Sequence, residues 1–249
     1  MTYCLAMRLH EGLVFLSDTR TNAGVDNIGT YRKQHVISPG PDRVFVIESA
    51  GNLATTQEVL DRIRRDLATD GFGEGLATAK YLFEAALYLG RVSRQVAAEH
   101  EDAMPGIDGT ATFILGGQIA GEDPDILLVY PEGNYIRASD ELPFLQIGEA
   151  KYGKFLLEMA ATLDVDAATA TKIALGSMMS TARANLSVGP PYDLGLYSRD
   201  SFEIEEFRID AESPVLVNLQ KTWEHQLRAS FAQLPSLTRA DLAAADSGP

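Results

Sequence analysis

Cysteine is nearly missing from this chain: Cys4 is the single thiol in 249 residues. One thiol excludes a disulfide framework and a thiolate metal cage, and leaves an inward-facing strand residue as its expected role. Histidine is scarce as well. His10, His35, His100 and His225 are scattered with no pair at ligand spacing, so no zinc site is expected. Positive charge is in deficit, with 21 Lys and Arg against 35 Asp and Glu and a formal net charge of -14. No basic stripe is available to neutralise phosphates, which argues against a nucleic-acid partner. No apolar run approaches the ~20 residues that cross a bilayer, so no membrane segment is expected. The first residues lack a basic run followed by an apolar core, which reads as no secretory signal and a cytoplasmic location. Repeats and low-complexity blocks are also missing, and no cofactor is expected.

What is present is a core-forming composition, 45% hydrophobic and 22% charged. "TYCLAMRL" and "GLVFLSD" flank the turn at His10-Glu11-Gly12 and read as a hairpin. "YRKQHVI" and "RVFVIESAG" are two further strands around the Pro/Gly punctuation "SPGPD". The periodicity then changes. Leu53, Val59, Leu60, Ile63 and Leu67 fall at helical spacing behind Asn52 as N-cap. A longer helical run extends from Leu76 to Glu101, with Leu82, Phe83, Ala86, Leu89, Val92 and Val96 on one face. Strands return in "TATFILGGQIAG", "DILLVYPEG", "YIRAS" and "LPFLQIG". Two helices follow over 149–163 and 166–185, then strands in "YDLGLYSR" and "SFEIEEFRI".

Runs of strands alternating with pairs of helices predict helices on each outer face of two packed sheets. The fold class is therefore α+β, a four-layer α-β-β-α sandwich over residues 1–212. Residues 213–249 add a helix, with Pro214 in its first turn and an apolar stripe of Leu216, Leu219, Trp223, Leu227 and Phe231. A flexible acidic tail follows it, and both are expected to pack on the same domain.

One constellation could carry chemistry. Removing Met1 would expose an α-amine and a hydroxyl on the single residue Thr2, a compact nucleophile–base unit. An α-amine has a pKa of about 7.7–8.0 and is partly neutral near pH 7. A nearby lysine would lower its proton affinity, and a carboxylate would hold that lysine charged and in place. Lys33, expected in the strand after the hairpin, and Asp18, at the end of "GLVFLSD", are the candidates. An oxyanion needs a backbone N–H aimed at it, and Gly51 sits before the first helix where close approach is easy.

Thr2, "SDTR" around Asp18, Lys33 and "AGN" at a helix start resemble the proteasome core β subunits and their bacterial heat-shock relatives. "MTYCLAMRL", "GLVFLSDTRTNAGVDNI" and "SAGNLATTQ" look most like the bacterial Anbu (ancestral β-subunit) group of N-terminal-nucleophile hydrolases. The resemblance covers nearly the whole chain. It implies Thr2 as nucleophile and base, Asp18 and Lys33 as its electrostatic support, and Gly51 N–H as oxyanion donor. Thr21 and Asn22, in the turn after Asp18, would lie along a cleft that takes an extended peptide. Two positions depart from the proteasome pattern. Glu149 stands where a Gly-Ser-Gly turn carries serine, and "RANLSVG" keeps Ser187, which the resemblance places in the catalytic set, but puts Ala184 at an aspartate position beside Asn185. A carboxylate such as Glu149 near the amine favours its ammonium form, so Glu149 and Asn185 are expected to tune activity.

The resemblance implies a threonine-type peptidase in a homo-oligomeric ring or helical stack, acting on peptide or unfolded protein, with an ATP-dependent unfoldase left open. Two alternatives remain: a weakly active or inactive scaffold of the same fold, and a hydrolase of small amides.

Overall fold

A computed structural model describes residues 1–22, 28–69, 73–103, 106 and 108–241 of the chain. Tyr3–Leu9 (β1) and Gly12–Asp18 (β2) pair antiparallel as the expected hairpin, with Cys4 opposite Ser17. Phe144–Gly148 (β10) closes the other side of β1, with Tyr3 opposite Gly148. Tyr192–Ser198 (β11) and Ile204–Ile209 (β12) extend the sheet beyond β2, giving the order β10-β1-β2-β11-β12. The segment nearest the chain start is therefore a central strand.

The second sheet is an antiparallel meander in sequence order: Gln34–Gly40 (β5), Arg43–Gly51 (β6), Ala111–Ile119 (β7), Asp125–Val129 (β8) and Tyr135–Arg137 (β9). Side chains alternate across each strand, and the alternation decides which layer they fill. On β6, Val44, Val46 and Ala50 face the other sheet, while Phe45 and Ile47 face helices. Cys4, Ala6, Phe15, Ile114, Ile126 and Leu145 complete the intersheet core. Cys4 is fully buried, as an inward strand residue should be.

Leu53–Leu67 (α1) and Leu82–Ala103 (α2) cover the second sheet, burying Val59, Leu60, Ile63, Leu89 and Val96 against Phe45, Phe113 and Leu127. Lys151–Ala160 (α3) and Ala167–Ala184 (α4) cover the first. The predicted four layers are present. Asn52 caps α1 by accepting from Ala54 N–H and Thr55 N–H. Asp166 caps α4 through Thr169 N–H.

Three local expectations are corrected. The second helix starts at Leu82, not Leu76, because residues 75–81 form turns whose Leu76 and Ala79 bury in the same core. Thr21 and Asn22 are not in a turn: Arg20–Asn22 (β3) pairs with Ile28–Thr30 (β4) as a separate two-stranded ribbon. Lys33 is not in a strand; it lies just ahead of β5, whose first residue is Gln34.

By itself, the unit from Glu212 onward contains Pro214–Gln233 (α5), with proline at its first turn. Residues 242–249, the end of the expected flexible tail, lie outside the described residues.

Candidate functional site

At the mouth of the sandwich, β1, the start of β5, the end of β6 and the end of β10 border a cleft of about 500 Å³. Met1, Thr2, Thr21, Arg32, Lys33, Ser49, Ala50, Gly51, Leu53, Thr56, Gly148 and Glu149 line it. Five of the residues singled out in the sequence (Thr2, Thr21, Lys33, Gly51 and Glu149) therefore share one cavity.

Asp18 lies beneath that surface, fully buried at the end of β2. Its Oδ1 accepts from Lys33 Nζ at 2.6 Å and from Tyr3 N–H at 2.9 Å, and Gly189 N–H reaches Oδ2 at 3.3 Å. Burial pushes the Asp18 carboxyl up, opposed by the Lys33 ammonium and by the two N–H donors. Lys33 Nζ also donates to Arg20 O at 2.7 Å, so its head group is bracketed by a carboxylate and a carbonyl. Ser49 N–H holds the Lys33 backbone through its carbonyl at 2.9 Å. The result is a buried ammonium fixed at the cleft wall that carries Thr2.

The Thr2 backbone is clamped from the side of β10. Glu149 N–H donates to Thr2 O at 2.7 Å. Gly148 adopts φ +82°, and a Cβ there would lie 2.0 Å from Thr2 O, so only glycine permits this approach. Gly51, at the end of β6, has φ +116°, and a Cβ would come within 2.5 Å of Thr110 O. Glycine is thus required at both backbone edges of the cleft.

The positions that depart from the proteasome pattern meet each other. Asn185 Nδ2 donates to Glu149 Oε2 at 2.8 Å and lies 3.8 Å from Met1 Sδ. Ser187 N–H donates to Asn185 Oδ1 at 3.0 Å. Asn185 and Ser187 do not line the cleft; Asn185 is joined to it by its bond to Glu149, and Ser187 by its bond to Asn185. Asn22 has only its backbone described, paired with Ile28. Among the described residues no group of His, Cys, Asp and Glu could hold a metal ion.

Solved structures match the chain over nearly its full length. Anbu (ancestral beta-subunit) from Yersinia bercovieri is 42% identical, with a TM-score of 0.89, covering 95% of this chain and 100% of that one. This chain belongs to the Anbu family. Anbu from Hyphomicrobium sp. strain MC1 is 43% identical, with a TM-score of 0.86, over 95% of this chain and 100% of its own. The helical assembly of the Anbu complex from Pseudomonas aeruginosa is 39% identical, with a TM-score of 0.91, over 96% and 99%. No protein-family model matches the chain, and no curated protein does.

In this Anbu chain, sequence reasoning missed the backbone groups around the site. Tyr3 N–H, Gly189 N–H and Arg20 O orient Asp18 and Lys33, yet any residue type supplies them. Arg32, Leu53 and Thr56 line the cleft without a motif to mark them. Gly148 carried a readable signal, as the glycine of "QIGE" between a strand and a helix. No helix among the described residues is long and apolar enough to cross a membrane.

Proposed function

We propose that this Anbu chain is a threonine-type peptidase of a self-assembling, proteasome-like complex, with Thr2 as nucleophile once Met1 is removed. The buried Lys33–Asp18 pair at 2.6 Å carries the reading, because a desolvated ammonium beside the cleft has an electrostatic task there. Thr2 Oγ attacks the scissile carbonyl while its proton passes to the Thr2 amine. The amine then gives the proton to the departing amine of the substrate, leaving an ester on Thr2. Water cleaves that ester and restores the hydroxyl. Lys33 keeps the Thr2 amine in its neutral, basic form, and Gly51 N–H receives the developing oxyanion. The substrate lies extended across the cleft, beside the backbone of Thr21 in β3.

Self-assembly is supported by the helical assembly of the Pseudomonas aeruginosa relative. On α3, Phe155 and Met159 are 67% and 65% exposed at helical spacing, an apolar face suited to a second copy. We place the complex in the cytoplasm.

The test is intact-mass measurement of the purified protein with and without an electrophilic peptide inhibitor. The expected result is loss of Met1, a stoichiometric adduct on Thr2, and no adduct in Thr2→Ala. Full retention of Met1 in a preparation that still cleaves peptides would overturn the mechanism. A second reading, a scaffold of the same fold, is favoured by the Glu149–Asn185 pair and the Met1 side chain at the cleft. It is the outcome if Met1 stays and no adduct forms.

A further inference from the structure

Deeper between the sheets lies a set of polar groups that the proposed chemistry does not use. Ser17 on β2, Gln34 on β5, Glu48 on β6 and Asp193 on β11 are all buried, the least so Asp193 at 5% exposure. Six of their side-chain atoms have no hydrogen-bond partner in the described structure: Ser17 Oγ, Gln34 Nε2 and Oε1, both Glu48 carboxyl oxygens, and Asp193 Oδ2.

Strand register brings these groups together. Ser17 sits directly opposite Asp193 on one side and Cys4 on the other. Gln34 sits opposite Glu48 in the facing sheet. Gln34 reaches across to the first sheet, since a Cβ on Gly195 would lie 2.9 Å from its Nε2. Gly195 is two residues along β11 from Asp193 and shares its face. The Leu16 backbone bears on the Glu48 carboxyl from β2. The four groups thus converge from both sheets, on the same sandwich face as Cys4 and Phe15.

Leaving a buried polar group unpaired costs about 1–3 kcal/mol. Six such atoms would consume most of the ~5–15 kcal/mol by which a domain is stable. They therefore have partners, and their chemistry says which. Gln34 Nε2 donates and needs an acceptor, which a metal cation cannot be. Gln34 Oε1 and Asp193 Oδ2 need a donor, and Ser17 takes either. A ligand that both donates and accepts serves the whole set. A buried water makes about three hydrogen bonds, so six atoms call for at least about two waters. We propose that Ser17, Gln34, Glu48 and Asp193 hold a cluster of ordered water between the two sheets, beneath the Thr2 cleft.

Glu48 is the member of this cluster on which burial bears most. Full burial pushes its carboxyl well above the usual range. Among the described residues, β1 brings it Tyr3 and Cys4, β2 brings Asp18, β7 places Ile114 opposite it, and Arg32, which bears on Asp193, pairs with Glu206. Lys33 is committed to Asp18, and Arg208 of β12 to Asp193. In the unfolded chain Glu48 ionises above its ordinary value of 4.5, whereas in the folded chain burial holds its proton to higher pH. Wild type therefore loses stability as pH rises beyond that value, and Glu48→Gln escapes the loss.

The inference does not rest on Thr2 being a nucleophile, and its readouts are independent of activity. A crystal structure that shows water should reveal two or more solvent molecules bridging these four side chains. Glu48→Gln should raise Tm at about pH 8 and leave it unchanged at about pH 4. Ser17→Ala should lower Tm, because it strips a bonded hydroxyl from the water. A solvent-free interior, a Tm gain of equal size at both pH values, or a Ser17→Ala protein of higher Tm would each overturn the proposal.

Discussion

Asp18 accepts three donors while fully buried, and that count sets what its removal does. Asp18→Ala leaves the Lys33 ammonium, 5% exposed, with only the Arg20 carbonyl, and orphans the Tyr3 N–H. Breaking a buried ion pair from one side costs about 3–5 kcal/mol. The expected outcome is an unfolding free energy lower by that amount, read as an earlier denaturant midpoint at unchanged slope, with adduct formation at Thr2 lost even below the transition. At this scale the sequence was informative about side chains and silent about backbone. Thr2, Asp18 and Lys33 stand out because their residue types carry chemistry at the ends of apolar strands. Gly189 N–H and Arg20 O do the orienting without any mark in the sequence. Glu149 and Asn185 were each visible as departures, but 36 positions of separation concealed that they bond each other.

Elements with strong apolar periodicity were legible, and short polar ones were not. β1, β2 and α1 follow directly from their patterns, and Asn52 announces where α1 begins. Asn52→Ala removes the acceptor for Ala54 and Thr55 N–H, at about 1 kcal/mol. Thermal unfolding should register this as a Tm lower by roughly 2–4 °C. The β3–β4 ribbon escaped notice because its three-residue strands carry no apolar alternation. The start of α2 was misplaced for the opposite reason. Leu76 and Ala79 continue the apolar signal through a turn, and the helix begins only beyond Lys80, whose N–H is taken by the Glu84 carboxylate. Burial, not helicity, wrote that part of the pattern.

For the whole molecule, net charge and exposed apolar surface pull in different directions. Each chain carries a formal net charge of -14, so copies repel one another over roughly a Debye length. The exposed Phe155 and Met159 on α3 favour association once that repulsion is screened. Sedimentation velocity should show species heavier than one chain, in a fraction that grows with ionic strength. Phe155→Glu should reduce that fraction at every salt concentration. None of this could be read from spacing in the sequence, since an exposed apolar residue and a buried one look alike until the layers are placed.

The central position of β1 has a consequence in time. Its partners on the two sides are β2 and β10, and the β10 end that clamps Thr2 O arrives only when the chain has grown past residue 149. At a synthesis rate of about 5–20 residues per second, the wait is roughly 7–30 s. Through that interval the cleft does not exist, and residues 1–9 lack the neighbours that will clamp Thr2 O. Under the proposed maturation, the enzyme that trims Met1 meets an unfolded nascent end rather than a finished pocket. On that proposal, the exposure of the Thr2 amine can begin during translation, ahead of the site it would serve.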